Sequence, residues 1–456
     1  MGPNYVRPTV EAPPAYKEAA SPGFTTAQPS DALAKGKWWE IYNDSELNSL
    51  EEQVTAANQD LKAAQAQFAQ ARAAVQVARA AYYPTVSGSA SASRNHQSQN
   101  RPLFGVSSTI NYNDFQIPVD ASWEPDVWGR VRRTVEAARS EAQASAADLA
   151  GVDLSLHAEL ALDYFELRGL DSQKQLLDST VVAYQKALDL TESRHQGGIA
   201  SAVDVAQAQT QLETTRAEEQ DVDVQRTAFE HAIAVLIGKP PAEFSQMPLP
   251  LATPPPPVPA SLPSQLLERR PDIAAAERRV QEANAQIGVA RSAYYPQFLL
   301  TGGGGFESSR LGTLLQGPAG FWALAGSAAE LMFDGGQRHG VTAEARAAYD
   351  ESVDNYRQTT LSAFQDVEDN LAALRVLQGE AQTQDAAVAA AEHSLDLSIS
   401  RYKGGVTSYL EVTTAQSAAL SDERSAVDIL TRRMAASVLL VKALGGGWNA
   451  SQIPTI

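Results

Sequence analysis

The stretch NQDLKAAQAQFAQARAAVQVARAAYYP, Asn58 to Pro84, comes back 212 positions later as RPDIAAAERRVQEANAQIGVARSAYYP, Arg270 to Pro296. Asp60 falls on Asp272, Ala71 on Ala283, Val77 on Val289 and Arg79 on Arg291. Both copies close on AYYP, where Pro84 and Pro296 end a helix: proline cannot donate to the helical ladder, and it pushes the preceding residue out of the helical region. A second pair, SRHQGGIASAVDVAQAQ (Ser193 to Gln209) and SRYKGGVTSYLEVTTAQ (Ser400 to Gln416), repeats at an offset of 207. A spacing kept this far, with a slip of five, means duplication of one structural half rather than a solenoid of short repeats.

Proline placement divides the chain in the same way. Residues 126 to 239 and 319 to 453 contain none and are free to form long helices, whereas Gly238 to Pro263, GKPPAEFSQMPLPLATPPPPVPASLP, reads as an extended connector between the halves. Each half then predicts a helix of about 25 residues, AYYP, two strands, a very long helix, a Gly-Gly turn and a returning helix. The helix from about Val131 to His195 reaches roughly 100 Å at 1.5 Å per residue. Val353, Tyr356, Thr360, Phe364, Val367, Leu371 and Leu374 step by three and four, and Leu149, Leu160 and Leu167 fall on Tyr356, Val367 and Leu374 of the other half, so the long helices pack side by side as coiled coils.

The clearest strand sets Phe115, Ile117, Val119, Ala121 and Trp123 against Asp114, Gln116, Asp120, Ser122 and Glu124. One face is apolar and the other wet. Pro84 to Asn95 gives a second strand, and Gln297 to Phe306 and Phe321 to Phe333 give two weaker ones, diluted by glycine. Tyr82, Tyr83, Tyr294 and Tyr295 sit where helix turns to strand. They either cap a core at that corner or mark a membrane interface, where a ring is apolar and its hydroxyl wet.

With 456 residues, 44% of them hydrophobic, and a net charge of -18, the chain can build an ordered core and has no basic footprint for nucleic acid. It has no uninterrupted apolar run long enough for a spanning helix, so a membrane crossing would be made by strands. Zero cysteines fits an exported chain, with little weight. Four strands leave open edges that lipid cannot satisfy; closing them requires other copies of the chain, and strands above helices then make a duct.

KWWEIYNDSELNSLEEQV (Lys37 to Val54), LLERRPDIAAAERRVQEANAQIGVARSAYYPQFLLTG (Leu266 to Gly302), LMFDGGQR (Leu331 to Arg338) and VKALGGGW (Val441 to Trp448) resemble the TolC-like outer membrane efflux proteins, close to the OprM-like branch that serves resistance-nodulation-division pumps. The resemblance implies a mostly α protein with a membrane β-barrel: a homotrimer with a twelve-stranded barrel in outer membrane lipid, a twelve-helix barrel in the periplasm and an equatorial belt. On that plan residues 1–57 form an N-terminal equatorial segment, 58–83 a helix, 84–126 a β-hairpin and 127–238 a long helical hairpin. Residues 239–269 form the Pro-rich linker, 270–295 the second helix, 296–333 the second β-hairpin, 334–445 the second helical hairpin and 446–456 an equatorial tail. MGPNYVRP (Met1 to Pro8) looks like the stretch after the acylated cysteine of lipoprotein members, with the cysteine itself absent from the sequence.

No catalytic constellation, metal-ligand spacing or nucleotide loop is legible, and no cofactor is expected; the six histidines are scattered, and Gly302 to Gly305 lacks the strand-to-helix context of a phosphate loop. A duct needs none of these. The resemblance implies that the turns at Gly197, Gly198, Ile199 and Ser201 and at Gly404, Gly405, Val406 and Ser408 meet a periplasmic adaptor, itself joined to an inner-membrane resistance-nodulation-division transporter. The plainer reading is a helical hairpin turn with Ser201 and Ser408 as caps. Asp204 and Glu411 match the first position of an acidic ring around the closed pore, with Tyr409 as a third gate candidate beside them, while Gln207 and Thr414 stand where a second acid is frequent. Acids in the first helical turn also suit the dipole. Phe115, Ile117, Val119 and Ala121 are expected to face lipid, and Gln116, Asp120 and Ser122 the lumen. The function implied is the passive exit duct of a tripartite efflux pump for drugs or other small molecules. Alternatives are the exit duct of a type I protein secretion system and, further off, a periplasmic coiled-coil adaptor or scaffold.

Overall fold

The computed structural model describes residues 2–10, 12–18, 36–98, 111–258 and 267–456. Residues 99–110 of the expected first β-hairpin, 259–266 of the expected Pro-rich connector, and 1, 11 and 19–35 of the expected N-terminal segment lie outside these. Among the described residues the two halves carry matching elements. Helix α2 (Gln59–Ala80) corresponds to α5 (Pro271–Ser292), α3 (Arg130–Gln196) to α6 (Gln337–Lys403), and α4 (Ala202–Leu236) to α7 (Tyr409–Ala443). The pairs are 22, 67 and 35 residues long in both halves. A further helix, α1 (Ser45–Ala57), precedes them; the Asp44 carboxylate caps it by accepting from the Glu46 and Leu47 N–H groups.

Strands β1 (Thr85–Gly88) and β2 (Ser91–His96) both pair antiparallel with β3 (Asn111–Trp123), which pairs with β4 (Gln297–Ser308), which pairs with β5 (Gly320–Ala329). The hairpins of the two halves thus join in one sheet. β1 and β2 lie on one register line, Gly88 opposite Val119 and Ser91 opposite Gln116. The break falls opposite Pro118, whose carbonyl accepts from Ser89 N–H at 3.1 Å but which has no N–H to return. On the other side of β3, Pro118 lies opposite Gly305, where a Cβ would stand 2.2 Å from the Ile117 carbonyl oxygen. Only glycine permits that approach. β5 ends at Ala329, so Leu331, Met332 and Phe333 lie beyond it and are largely exposed.

On the sheet side, α2, α3, α5 and α6 stand side by side; toward the Gly-Gly turns, α4, α3, α7 and α6 do. Four helices therefore share each half of the wall. The seam expected from the three-four stepping is buried at Val353, Tyr356, Thr360, Phe364, Val367 and Leu371, with Leu374 partly so. Small residues set the helix spacing: a Cβ on Gly169 of α3 would meet Thr431 Oγ1 of α7 at 2.3 Å.

The largest core lies midway along the long helices. Trp38, Leu47, Leu50 and Val54 from the N-terminal region pack there with Leu160, Tyr164 and Leu167 of α3, Val367 and Leu371 of α6, Ile233 of α4, and Leu440 and Val441 of α7. Arg168, almost fully buried, ties this girdle together by donating to Glu46 Oε2 (2.6 Å), Asp171 Oδ2 (3.2 Å) and the Met247 carbonyl (2.7 Å). Asp171 in turn accepts from Arg226 Nε and from Leu249 N–H. The connector between the halves is clamped to α3 by these bonds.

Candidate functional sites: the helical tips and the sheet face

Both Gly-Gly turns close the same way. The Ile199 N–H donates to the Arg194 carbonyl at 2.8 Å and the Gly198 N–H to His195 at 2.9 Å; in the second turn Val406 donates to Arg401 and Gly405 to Tyr402, each at 3.0 Å. This is the paired-bond helix terminator that needs a left-handed residue. Gly198 and Gly405 supply it with φ of 75° and 74°, while Gly197 and Gly404 stay right-handed. Ile199 and Val406 stand 70% and 72% exposed, apolar residues with nothing of their own chain to cover them.

Past the glycines the tips differ. Ser201 Oγ accepts from Asp204 N–H (3.2 Å) and Ser201 N–H donates to Asp204 Oδ2 (2.9 Å), a reciprocal cap that engages the Asp204 carboxylate locally. Ser408 makes no side-chain cap. Glu411 is held instead by the Arg401 guanidinium at 3.1 Å and by the Thr407 hydroxyl. Tyr409 does not border a lumen within its own chain. It is 2% exposed, its ring edge-on to Tyr402 at 5.3 Å within a cluster that includes Tyr184, Leu188, Leu212 and Val412. Burial there pushes its phenol up to about 12, so it serves the packing between the hairpins. Gln207 is half-buried, and Thr414 is exposed.

Sequence reasoning missed one contact that joins the tips. Arg194 of α3 lies over the Tyr402 ring of α6 at 4.6 Å and donates to the Lys403 carbonyl at 3.3 Å. Its repeat equivalent, Arg401, binds Glu411 instead. The signal was present as a pair of arginines preceding the two Gly-Gly turns, but only tertiary packing assigns them different partners.

At the opposite end, the strand register places Phe115, Ile117, Val119, Ala121 and Trp123 opposite Ser308, Phe306, Gly304, Gly302 and Leu300, and the last four of these opposite Gly320, Trp322, Leu324 and Gly326. From Phe115 toward the helices one face of the sheet is therefore apolar from β1 to β5, while beyond Phe115 it turns polar at Arg94 and His96 of β2 and Asn113 and Asn111 of β3. Trp322 and Leu324 are 78% and 79% exposed on it, filling the space that Gly304 and Gly302 leave open. The other face carries Gln116, Asp120, Ser122 and Glu307, with Asp120 folded over Gly303. Its exceptions include Tyr112, Pro118, Leu299 and Phe321.

The tyrosines mark the border of this face, and all four are exposed. Trp123 Nε1 donates to the Tyr82 carbonyl at 3.0 Å; Trp128 Nε1 donates to the Pro296 carbonyl at 2.7 Å and stacks on Tyr295 at 4.8 Å. Arg338 covers the Tyr294 ring at 5.5 Å.

Two long helical hairpins with exposed tips at one end and an exposed apolar sheet at the other define a channel-forming envelope protein. The chain belongs to the outer membrane efflux protein family, whose model matches residues 50–239 and 262–446. It is 31% identical to a toluene efflux pump outer membrane protein, TtgC, of Pseudomonas putida, over 98% of this chain and 92% of that one. It is 30% identical to the pyoverdine export outer membrane protein OpmQ of Pseudomonas aeruginosa, over 94% and 91%. Its fold matches that of the outer-membrane channel OprN with a TM-score of 0.90 at 29% identity, over 98% of this chain and 99% of that one. The protein is an outer membrane component of an efflux pump.

Proposed function

We propose that this chain forms, as a homotrimer, the passive exit duct through which a tripartite pump expels small molecules across the outer membrane. The observation that carries the assembly is the open sheet. Its edges, β1 with β2 on one side and β5 on the other, have no partner among the described residues, yet its apolar face is exposed. A membrane sheet must close, and three copies of a four-strand arc give twelve strands above twelve helices. Phe115, Ile117, Val119 and Ala121 then face lipid, and Gln116, Asp120 and Ser122 face the water-filled lumen. The tips at Gly197 to Ser201 and Gly404 to Ser408 dock a periplasmic adaptor joined to a resistance-nodulation-division transporter. Of the two acids beside the tips, Glu411 is answered by Arg401, so Asp204 is the one whose charge would raise the local concentration of cations.

Relatives of nearly equal identity are named for toluene and for pyoverdine, two chemically unlike cargoes. Light scattering of the purified protein in detergent tests the assembly: the protein mass should be about three times 48.7 kDa, and a stable monomer overturns it.

A further inference from the structure

The junction between helices and sheet holds positive charge that the chain itself does not answer. Three acids there are each taken by an arginine of their own: Glu124 by Arg130 at 2.6 Å, Asp126 by Arg132 at 3.0 Å and Asp334 by Arg338 at 2.6 Å. Arg79 and Arg291 are left over. Each stands in the last turn of its helix, four residues before the second tyrosine of AYYP, and among the described residues neither guanidinium has an ion-pair or hydrogen-bond partner. Both are only half-exposed. A cation near a helix C-terminus is favoured by the dipole, which accounts for charge at this level but not for its repetition beside paired tyrosines in a chain of net charge -18.

The N-terminal segment identifies the side on which Arg291 stands. Gly2 lies against Gly288, the Asn284 amide donates to the Pro3 carbonyl at 3.2 Å, and the Tyr5 hydroxyl donates to Glu277 at 3.0 Å. The strap therefore climbs one face of α5 toward the tyrosines. Arg291 and Tyr295 continue that face, three and seven residues past Gly288. Tyr295 stacks on Trp128, and Trp128 also meets Phe298, which belongs to the apolar face of the sheet. Guanidinium, phenol and apolar surface follow one another in that order, as phosphate, glycerol and acyl chain do in a lipid leaflet.

We propose that Arg79 with Tyr83 and Arg291 with Tyr295 are phosphate sites for glycerophospholipids of the periplasmic leaflet, with a preference for anionic headgroups. The guanidinium fork donates two hydrogen bonds to the phosphodiester, and the tyrosine places its ring beside the glycerol. Anionic lipid is favoured because Glu124, Asp126 and Asp334 are already neutralised by Arg130, Arg132 and Arg338, which leaves Glu330, exposed just past β5, as the acid at this level without an ion pair among the described residues. The site rests on the apolar face being the lipid face, and its test separates the two.

The protein is purified with Arg79→Gln/Arg291→Gln, with Arg79→Lys/Arg291→Lys and unchanged. Each is stripped of lipid, mixed in detergent with phosphatidylglycerol, phosphatidylcholine or inorganic phosphate, and assayed for bound phosphorus after gel filtration. The unchanged protein should retain phosphatidylglycerol several-fold over phosphatidylcholine, the lysine variant should retain part of that excess, and the glutamine variant should lose it while eluting as the same oligomer. Inorganic phosphate should not compete at millimolar concentration. Equal retention of phosphatidylglycerol by the glutamine variant overturns the site, as does displacement by free phosphate. In parallel, brominated lipid should quench tryptophan fluorescence in the unchanged protein and less in Trp322→Phe, where Trp123 and Trp128 remain as quenchable reporters at the border of the face. Quenching with no headgroup preference defeats the phosphate site alone; absence of quenching defeats the lipid face itself.

Discussion

His157 of α3 and Glu51 of α1 are buried against each other, with 2.6 Å between Nδ1 and Oε2, and the imidazole is stacked on Trp39 at 4.4 Å. The other ring nitrogen faces the Thr55 hydroxyl at 3.2 Å and the Asp153 carboxylate at 3.5 Å. This group pins the N-terminal helix to the middle of the wall. Burial alone would lower the His157 imidazolium, but hydrogen bonds to Asp153 and Glu51 and their charges outweigh it and push it up to about 9. Burial pushes the Glu51 carboxyl up to about 7, against the pull of His157 and with a small push from Asp153.

Both shifts make the folded state hold protons that the unfolded chain releases. The His157 contribution is complete below about pH 6.5 and is lost as pH rises through about 9; the Glu51 carboxylate adds a cost that is absent below about 4.5 and complete above about 7. Stability of the girdle should therefore fall as pH rises from about 5 to 9, by an amount on the order of a few kcal/mol. Thermal unfolding followed by tryptophan emission, with Trp39 as reporter, should show the midpoint dropping across this range. His157→Gln should lower the midpoint at pH 6 and flatten the slope, and an unchanged slope refutes the assignment.

Replacing Gly198 and Gly405 together by valine forces two β-branched residues into left-handed backbone, at roughly 1–2 kcal/mol or more each. No atom lies within 4 Å of either missing Cβ, so the strain stays in the turns. Oligomer formation and outer-membrane insertion should survive, since the sheet lies about 100 Å away along the helix. Drug export and cross-linking to the adaptor should be lost. Normal susceptibility and cross-linking in the double variant would mean that docking occurs elsewhere.

Arginine at Val119 or Leu324 should cost roughly 2–4 kcal/mol if that face lies in hydrocarbon, whereas arginine at Gln116 should be tolerated. The comparison is the yield of heat-resistant oligomer after refolding into bilayers, and the reverse pattern would invert the sheet.

Gly305→Ala puts a methyl group 2.2 Å from the Ile117 carbonyl oxygen, backbone against backbone, so β3 and β4 must part. We expect a loss of about 1–3 kcal/mol by the overpacking mechanism, while Gly317→Ala, with no atom within 4 Å, should be neutral. Urea unfolding midpoints of the two variants distinguish them.

The repeat, the helix ends at AYYP, the long proline-free helices and the apolar and polar sides of β3 were all legible in the sequence, because each depends on periodicity or on a backbone restriction within a few residues. Gly198 and Gly405 belong to this group, since a left-handed helix terminator is a local demand. Tertiary structure alone decided the rest. The register that carries the apolar stripe from Ile117 through Phe306 to Gly320, and from Val119 through Gly304 to Trp322, brings together strands from separate halves. Glycine had hidden the alternation there because its place on the face is filled by a neighbour's side chain. Arg194 and Arg401 occupy equivalent positions yet take different partners, and Tyr409 turned inward, because the two hairpins pack on each other and cannot present the same face to the same surroundings. His157, Glu51 and Arg168 look like ordinary surface charges along a helix until α1 and the linker cover them. A buried charge is defined by what lies on top of it, and no local pattern records that.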